Sequence, residues 1–187
     1  MIGQMGGPIE IRRLTAADIG LIGSIDRSEQ LEIAYSVVGG KLIANASEFF
    51  VPQWDPVGSG DHSVASLIDL WEPVVAGGAA YLGAYRRDEL LGVAIVSGAH
   101  WPGLAWLALL HVSRIHRRSG VAAALWENAV AIAVDAGSTK IYVSSAPTGS
   151  AVGFYSSRGC RLAAPEEIVP ELYKLEPDDI HLMCVLD

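Results

Sequence analysis

The chain is poor in the residues that most often build metal and redox sites. Its 187 residues include two cysteines, Cys160 and Cys184, which form neither a C-x-x-C pair nor any metal-ligand spacing. The five histidines show no H-x-x-x-H or H-E-x-x-H pattern. We therefore expect no metal site. Because both cysteines lie in apolar, strand-like stretches, we expect them to be reduced thiols in the core.

Long apolar runs are also missing, although 51% of the residues are hydrophobic. No run reaches the roughly 18 apolar residues that a membrane-spanning helix needs. Residues 1–8 are rich in glycine and have neither the basic start nor the apolar centre of a secretory signal. We expect this segment to be flexible, the protein to be cytoplasmic, and no membrane to be its partner. The length favours a single domain over residues 1–187.

Positive charge is scarce, because 13 lysines and arginines face 21 acids for a net charge of −8. This balance argues against a nucleic-acid partner. Residues 166–187 hold seven acids and one lysine, whereas Arg114, Arg117 and Arg118 cluster within five residues. An acidic chain with one basic turn favours a small anionic ligand over a polyanion.

Hydrophobic patterning predicts an α/β fold with an antiparallel front half and a crossover helix. Helices are expected to begin near Thr15 and Asp61, and residues 26–50 show no clear pattern. The wide apolar surface of the helix at 121–136 indicates that it is covered on two sides. The predicted strands lie at 9–14, 80–85, 90–97, 104–112, 140–145, 160–162 and 181–186, and two further helices lie at 121–136 and 148–158.

The turn between the strand at 104–112 and the helix at 121–136 is the candidate anion site. It has the sequence Arg117-Arg118-Ser119-Gly120-Val121-Ala122. The first N–H groups of a helix have no internal partner, and the helix dipole favours negative charge there. Glycine lets the backbone approach a ligand, and arginine donors suit phosphate. The expected ligand is a phosphate or pyrophosphate, with Arg117 as the favoured side-chain contact.

The chain resembles the GNAT superfamily of acyl-CoA N-acyltransferases. Arg117, Gly120 and Ala122 match its Arg/Gln-x-x-Gly-x-Gly/Ala signature, and residues 151–159 resemble its Ala-x-x-Phe-Tyr-x-x-x-Gly segment. Gly92 fits the hairpin of that family. The resemblance covers residues 81–162, and residues 26–29 and 52–54 are similar to segments of uncharacterised bacterial members, which gives no acceptor.

This resemblance implies a GNAT-like mixed sheet of about six to seven strands with helices on both faces. It also implies that acetyl-CoA is the acyl donor. Its pyrophosphate would lie on the backbone N–H groups of the turn, near the end of the preceding strand. The cofactor-binding residues would then be Val112, Arg117, Arg118, Ser119, Gly120, Val121 and Ala122.

Acyl transfer to an amine needs a neutral amine and a proton for the leaving thiolate. In the resembled family a tyrosine at the position of Tyr155 is the general acid, although packing beside Phe154 would also explain this side chain. Many members carry a glutamate early in the fourth strand, where this chain has Trp106. His111 is a candidate base because histidine titrates near neutral pH, but a core histidine or a water chain would serve equally well.

The acceptor site is the least defined part of the sequence. Glu29 and Glu32 could hold a cationic amine, with Trp54 as a wall, although exposed carboxylates and core aromatics are the simpler assumption. The resulting hypothesis is direct acetyl transfer to a primary amine of a small molecule or a protein. The alternative is a catalytically inactive acyl-CoA-binding sensor or interaction module. The apolar composition also favours a homodimer, formed through an apolar face or the edge of the last strand.

Overall fold

The computed structural model describes residues 7–186, so most of the segment expected to be flexible, residues 1–6, lies outside it. The chain contains a 3₁₀ helix at Ala16–Ser24, in which the Asp18 carboxylate accepts a hydrogen bond from the Thr15 N–H at 2.8 Å. The α-helices are α1 (Val64–Ala76), α2 (Val121–Asp135), α3 (Gly149–Ser157) and α4 (Pro170–Leu175). The strands are β1 (Glu10–Leu14), β2 (Glu29–Gln30), β3 (Ile33–Val38), β4 (Lys41–Ala46), β5 (Phe50–Val51), β6 (Ala80–Arg86), β7 (Glu89–Trp101), β8 (Leu104–Val112), β9 (Lys140–Ser145), β10 (Arg161–Leu162) and β11 (Ile180–Val185).

A seven-stranded sheet in the order β1-β6-β7-β8-β9-β11-β10 forms the centre of the fold. The pairs from β1 to β8 are antiparallel, and β8 and β9 are parallel. Helix α2 is the crossover between those two strands, as parallel neighbours require. The predicted mixed sheet with an antiparallel front half is confirmed.

Helices cover both faces of this sheet, as expected. On one face α2 and α3 pack over a core that includes Leu107, Leu125 and Val143. On the other face the 3₁₀ helix and α1 pack over a second core that includes Trp71, Trp106 and Tyr142. Alternating strand residues supply the two cores, so the apolar strands β8 and β9 are buried from both sides.

The segment without a clear sequence pattern forms a hairpin, β3–β4, and a short two-stranded sheet, β2–β5. The hairpin lies against the start of α3, where the Tyr35 N–H donates a hydrogen bond to the Pro147 carbonyl at 2.8 Å. The predicted cap of α1 was wrong, because the cap is Ser63, whose hydroxyl accepts from the Ser66 N–H, rather than Asp61. Pro73 lies inside this helix, which ends at Ala76 with Gly77 as its C-cap.

Strand β8 contains an extra residue at Ala108. Leu107 lies opposite Val96 of β7, yet Leu109 lies opposite Ile95, so the pairing shifts by one residue. A bulge of this kind bends a strand and disrupts its ladder. Pairing between β8 and β9 stops at Leu107 and Val143. The two strands separate beyond this point, and we call the gap between residues 108–112 and 144–145 the strand fork.

Two expectations about the C-terminal strands were wrong. Cys160 and Cys184 form a disulfide with their Cα atoms 4.2 Å apart, so they are not reduced thiols. The bond joins Cys160, immediately before β10, to Cys184 of β11, and the two residues are close because β10 pairs with β11. The last strand is not a free edge for a homodimer, since β11 lies between β9 and β10. Within residues 7–186, no helix is long and apolar enough to cross a membrane.

Candidate active site

The strand fork presents unpaired backbone at the end of β8. The Val112 carbonyl accepts from Arg117 Nε at 3.2 Å, whereas the next N–H, of Ser113, donates to the Leu91 carbonyl beside β7 at 2.9 Å. The N–H and C=O of one strand residue point to the same side, and successive residues alternate. The Val112 N–H therefore points away from β7 and toward the fork.

The turn before α2 exposes a row of helix N-terminal N–H groups. Gly120 is the N-cap with φ 86°, a conformation that favours glycine, and Arg118 also has a positive φ of 60°. The first backbone bond of the helix runs from the Ala124 N–H to the Gly120 carbonyl, which leaves the N–H groups of Val121, Ala122 and Ala123 free of helix partners.

Within residues 7–186, the start of α2 is open. The first turn carries no acidic side chain, and a Cβ added to Gly120 would meet no atom within 4 Å. The Ser119 hydroxyl donates to the His116 carbonyl, so it shapes the turn rather than facing a ligand. The arrangement can bind an anion through its backbone.

Tyr155 lies on α3, on the same face of the sheet as α2. Its side chain packs against Trp126, with ring centroids 5.9 Å apart, and against Phe154 at 5.3 Å. Tyr155 is only 6% exposed, and its phenol makes no hydrogen bond to any described residue. Burial raises the pKa of this phenol, and the charges of Asp179 and Glu176 raise it further. The group is therefore protonated at neutral pH and can act as a proton donor.

Comparison with known proteins identifies the superfamily. The model of the acetyltransferase (GNAT) family matches residues 44–160, which include the strand fork, the turn before α2 and the whole of α3 with Tyr155. The chain belongs to this family. It is therefore an acetyltransferase. A search of curated proteins finds no match.

Several solved structures share the fold of this GNAT protein. Nourseothricin acetyltransferase has a TM-score of 0.71 and 17% identity, over 97% of this chain and 100% of that one. A Bacillus anthracis protein assigned as a streptothricin acetyltransferase, in complex with acetyl coenzyme A, has a TM-score of 0.69 and 15% identity over 97% and 100%. N-acetylglutamate synthase from Neisseria gonorrhoeae, complexed with coenzyme A and L-arginine, has a TM-score of 0.62 and 17% identity, over 95% of this chain and 33% of that one.

The Arg117 side chain of this GNAT protein is already engaged inside the protein. Besides Val112, it donates to the Arg27 carbonyl at 2.9 Å and pairs with Glu29 at 3.2 Å. These contacts direct the guanidinium toward the end of β8 rather than toward the start of α2. The expectation that this side chain holds a phosphate stays a prediction, and Arg118, which is exposed, is the freer of the two.

Glu29 is not a solvated helix carboxylate, as the simpler assumption had it. It lies in β2, and besides Arg117 it accepts a hydrogen bond from the Ser150 hydroxyl at 2.9 Å. The carboxylate thus links the loop before α2 to the start of α3. Both contacts are made by the same carboxylate oxygen, Oε2, whereas Glu32 is exposed. A role for Glu29 in binding the acceptor stays a prediction.

His111 lies on β8 beside Trp54, with the ring centroids 5.3 Å apart. Burial lowers the pKa of His111 to about 4, and the charges of Arg27 and Arg117 contribute. The reason for choosing His111 as a base, a pKa near neutral pH, is therefore wrong for this environment. Trp54 is buried, and the Arg27 guanidinium lies over its ring at 4.0 Å from the centroid.

The glutamate of many GNAT members has no counterpart on β8 of this chain. Trp106 is buried against Trp71, with ring centroids 5.9 Å apart, and its indole N–H has no partner among the described residues. Sequence reasoning missed two carboxylates, Glu176 and Asp179, that lie close enough to Tyr155 to raise its pKa. They had been counted only as part of an acidic tail.

Two other features lie apart from this constellation. A cavity of about 510 Å³ opens at the other end of β8 and β9, with Leu104, Lys140 and Met183 in its lining. It therefore does not belong to the fork. Among residues 7–186, no group of three histidine, cysteine or acidic side chains could hold a metal ion.

Proposed function

We propose that this GNAT enzyme is an N-acetyltransferase that moves an acetyl group from acetyl-CoA directly to a primary amine. The observation that carries the proposal is the free N-terminus of α2 immediately beside the strand fork. One ligand with a pyrophosphate and a narrow amide-bearing arm would satisfy both features. Coenzyme A has this chemistry, and two of the similar solved structures contain it or its acetyl form.

The backbone of the turn would hold the pyrophosphate. The free N–H groups of Val121 and Ala122 donate to its oxygens, while Gly120 keeps Cβ atoms away from it. The pantetheine arm then enters the fork, where its amides replace the ladder that β8 and β9 no longer make. Arg118 adds charge from the exposed side of the turn.

The reacting thioester would lie at the fork beside Tyr155. The Val112 N–H would polarise its carbonyl oxygen and stabilise the oxyanion that develops when the amine attacks. The departing thiolate would take its proton from the Tyr155 phenol. No covalent enzyme intermediate is needed, because the only two cysteines are joined in the disulfide.

The acceptor would be a primary amine of a small molecule or a protein. A lysine-like amine is about 3 pK units from its neutral form at pH 7, which costs roughly 4 kcal/mol. The enzyme must therefore bind a cation and remove a proton from it. Nourseothricin is one rational probe, because one of the similar solved structures is a nourseothricin acetyltransferase. Spermidine and L-lysine amide are simpler cationic probes.

Calorimetric titration with acetyl-CoA tests the cofactor site. We expect micromolar binding by the wild type, weaker binding by Gly120→Gln, and none by Gly120→Glu. Both variants carry the same backbone strain at φ 86° and side chains of the same size, so their difference reports the added negative charge. Circular dichroism checks folding. Equal affinities for the two variants would contradict an anion site at this turn.

Release of coenzyme A thiol in the presence of the three amines then tests transfer. Turnover with any of them supports the acetyltransferase mechanism. Tight acetyl-CoA binding without turnover across a wider amine panel would favour the alternative, an inactive acyl-CoA sensor. If the wild type did not bind acetyl-CoA, both the acetyltransferase mechanism and the acyl-CoA sensor would be excluded.

A cytoplasmic location, a homodimer and a single domain over residues 1–187 stay predictions. The disulfide argues against a reducing compartment, where structural disulfides are rare. Exposed apolar side chains on the β3–β4 hairpin, including Val37, Val38 and Ile43, favour an interface with another molecule. Cell fractionation and light scattering test the first two predictions, and limited proteolysis tests the third.

A further inference from the structure

Two carboxylates stand at the same end of the sheet as the strand fork. Glu176 and Asp179 precede β11, whose first residue, Ile180, pairs with Ser145 of β9. Ser144 and Ser145 are the first β9 residues beyond the point where β8 separates. The carboxylates are therefore placed beside the fork by the pairing of β9 with β11.

A tight turn fixes their backbone. The Glu176 carbonyl accepts from the Asp179 N–H at 3.2 Å and lies 3.1 Å from His181 Nε2, while the Glu176 N–H donates to the Leu172 carbonyl at 3.1 Å. His181 is in turn held by the Tyr142 hydroxyl, 2.9 Å from its Nδ1. This buried network positions the two acids on a rigid element.

Neither acid has a cationic partner within the described residues. Glu167, from the same acidic segment, shows the usual arrangement: Arg161 at 2.6 Å and Lys140 at 3.4 Å neutralise it. Hydrogen bonds from Arg161 lower the pKa of Glu167 to about 2. Glu176 and Asp179 form no such pair, although both are partly buried. Two uncompensated carboxylates in this position disfavour each other's charge.

The pKa values of the two carboxyl groups reflect this burial without a cationic partner. Burial and, to a smaller extent, the charge of Asp179 raise the pKa of Glu176 to about 7, although a hydrogen bond from the Ser144 hydroxyl opposes the shift. Burial also raises the pKa of Asp179 to about 6, with Asp178 contributing. A cation between them would relieve both costs.

Tyr155 gives an independent sign of a ligand at this place. It is a buried phenol without a hydrogen-bond partner among the described residues, and both carboxylates act on it electrostatically. With no partner among residues 7–186, the phenol is available to form a hydrogen bond with a ligand. Tyr155, the proposed proton donor for the thiolate, is therefore close enough to Glu176 and Asp179 for their charges to act on it, and neither carboxylate has a cationic partner among the described residues.

We propose that Glu176 and Asp179 form the acceptor subsite, in which Asp179 holds the ammonium group and Glu176 removes its proton. This inference rests on the proposed function, because it assigns the acceptor side of the same reaction. It also commits the acceptor to being cationic.

The proton balance is complete. The ammonium group gives one proton to Glu176, which returns it to solvent. The neutral nitrogen then forms a bond to the thioester carbon, and the C–S bond breaks. The thiolate takes the phenol proton of Tyr155, and the second proton lost by the nitrogen restores that phenol. The products are the acetylated amine, coenzyme A thiol and one released proton.

The groups that face Glu176 define its pH dependence. They are Asp179 in the same turn, Tyr155 of α3, Ser144 of β9, and His181 of β11, whose pKa is lowered by burial. Tyr173 of α4 stacks against His181, with ring centroids 5.2 Å apart, and Asp178 acts on Asp179. Deprotonation of the carboxyl pair should therefore appear as an acidic limb in activity near pH 6 to 7.

The test compares Glu176→Gln and Asp179→Asn with Glu171→Gln, a matched change at an exposed acid of α4. Transfer to nourseothricin, spermidine and L-lysine amide is followed by thiol release from pH 5.5 to 9. We expect Glu176→Gln to lower kcat at least about 100-fold and to remove the acidic limb. We expect Asp179→Asn to raise the amine KM about tenfold. Glu171→Gln should match the wild type.

A second measurement does not need turnover. The protein saturated with coenzyme A is titrated calorimetrically with spermidine, and we expect binding that Asp179→Asn and Glu176→Gln weaken at least about fivefold. Unchanged kinetics in both variants, or no spermidine binding by the wild-type complex, would overturn the inference. Failure of the proposed function is distinct, because acetyl-CoA itself would then not bind to the wild type.

Discussion

Replacing Arg117 by methionine separates two roles that are open to this arginine: a structural tie and a phosphate contact. The structure directs its guanidinium to the carbonyls of Val112 and Arg27 and to the Glu29 carboxylate. Methionine keeps the length of the aliphatic stem and removes only the charged head. The variant therefore tests whether the side chain ties β8 to β2 or binds a phosphate.

The expected loss of stability follows from these contacts. Each hydrogen bond that the charged head makes to a carbonyl contributes about 1.5–3 kcal/mol. The pair with Glu29 adds at most about 1 kcal/mol, since its side chains are 27% and 23% exposed and screened by water. Water can replace part of the lost bonding, so we expect a decrease of about 2–3 kcal/mol in the free energy of unfolding. For a chain of this size that corresponds to a Tm lower by about 4–12 °C.

Thermal and urea unfolding measure the stability, and calorimetry measures acetyl-CoA affinity. Arg118→Met is the matched control, because Arg118 is exposed and its substitution should change stability by less than about 0.5 kcal/mol. We expect Arg117→Met to be the less stable variant and Arg118→Met to be the weaker cofactor binder. A Tm change below about 2 °C in Arg117→Met, together with a tenfold loss of acetyl-CoA affinity, would refute the structural role.

Four further changes test the site and the fold. Tyr155→Phe should lower kcat about 100-fold while acetyl-CoA affinity stays within about threefold; unchanged kcat would leave the ring a packing residue. Reducing the bond between Cys160 and Cys184, which are 24 residues apart, should lower the free energy of urea unfolding by about 3 kcal/mol, and equal curves with and without reductant would contradict this. Between pH 6.5 and 4 the unfolded chain protonates His111 but the folded chain does not. This residue therefore makes the free energy of unfolding decrease as the pH is lowered, by up to about 1.4 kcal/mol per pH unit. His111→Gln should remove that part of the pH dependence. Glu176, protonated in the folded state up to pH about 7, acts in the opposite direction, so Glu176→Gln should gain stability relative to the wild type as pH rises from 4.5 to 8 in thermal melts.

The elements around the cofactor turn could be predicted because each has buried apolar residues at regular positions along its length. Strands β8 and β9 have the bounds that their apolar runs predict, and α2 ends one residue before its predicted end. The turn itself could be predicted because Gly120 is required for a positive φ at the N-cap.

The hairpin β3–β4 could not be predicted from apolar periodicity. Residues of both strands, including Val37 and Ile43, are exposed, so burial imposes no alternation on the sequence. One signal is present: Gly39 and Gly40, both with positive φ, form the two-residue turn between β3 and β4. Glycine pairs of this kind favour hairpins.

The two halves of the candidate site differ in the same way. The residues proposed to bind and protonate the acetyl donor, Gly120 and Tyr155, each lie in a short sequence motif, so the sequence alone predicts them. The acceptor side depends on β11 returning to pair with β9, which brings Glu176 next to a helix that precedes it in the chain. His111 shows the limit again, because its lowered pKa comes from burial and from the charge of Arg27, 84 residues earlier in the chain.

The bulge at Ala108 connects these observations physically. It ends the pairing of β8 and β9, and the same separation frees the Val112 N–H on one strand and leaves Ser144 unpaired toward β8 on the other. Backbone groups that would be paired in a continuous sheet are left for ligands, and the nearby Glu176 is partly buried without a cationic partner among the described residues, at a cost in stability that its substitution measures. If the bulge were only an irregularity of the sheet, replacing Glu176 by glutamine would stabilise the protein without affecting transfer. If the fork is the active site, the same replacement would stabilise the folded chain and lower its activity together.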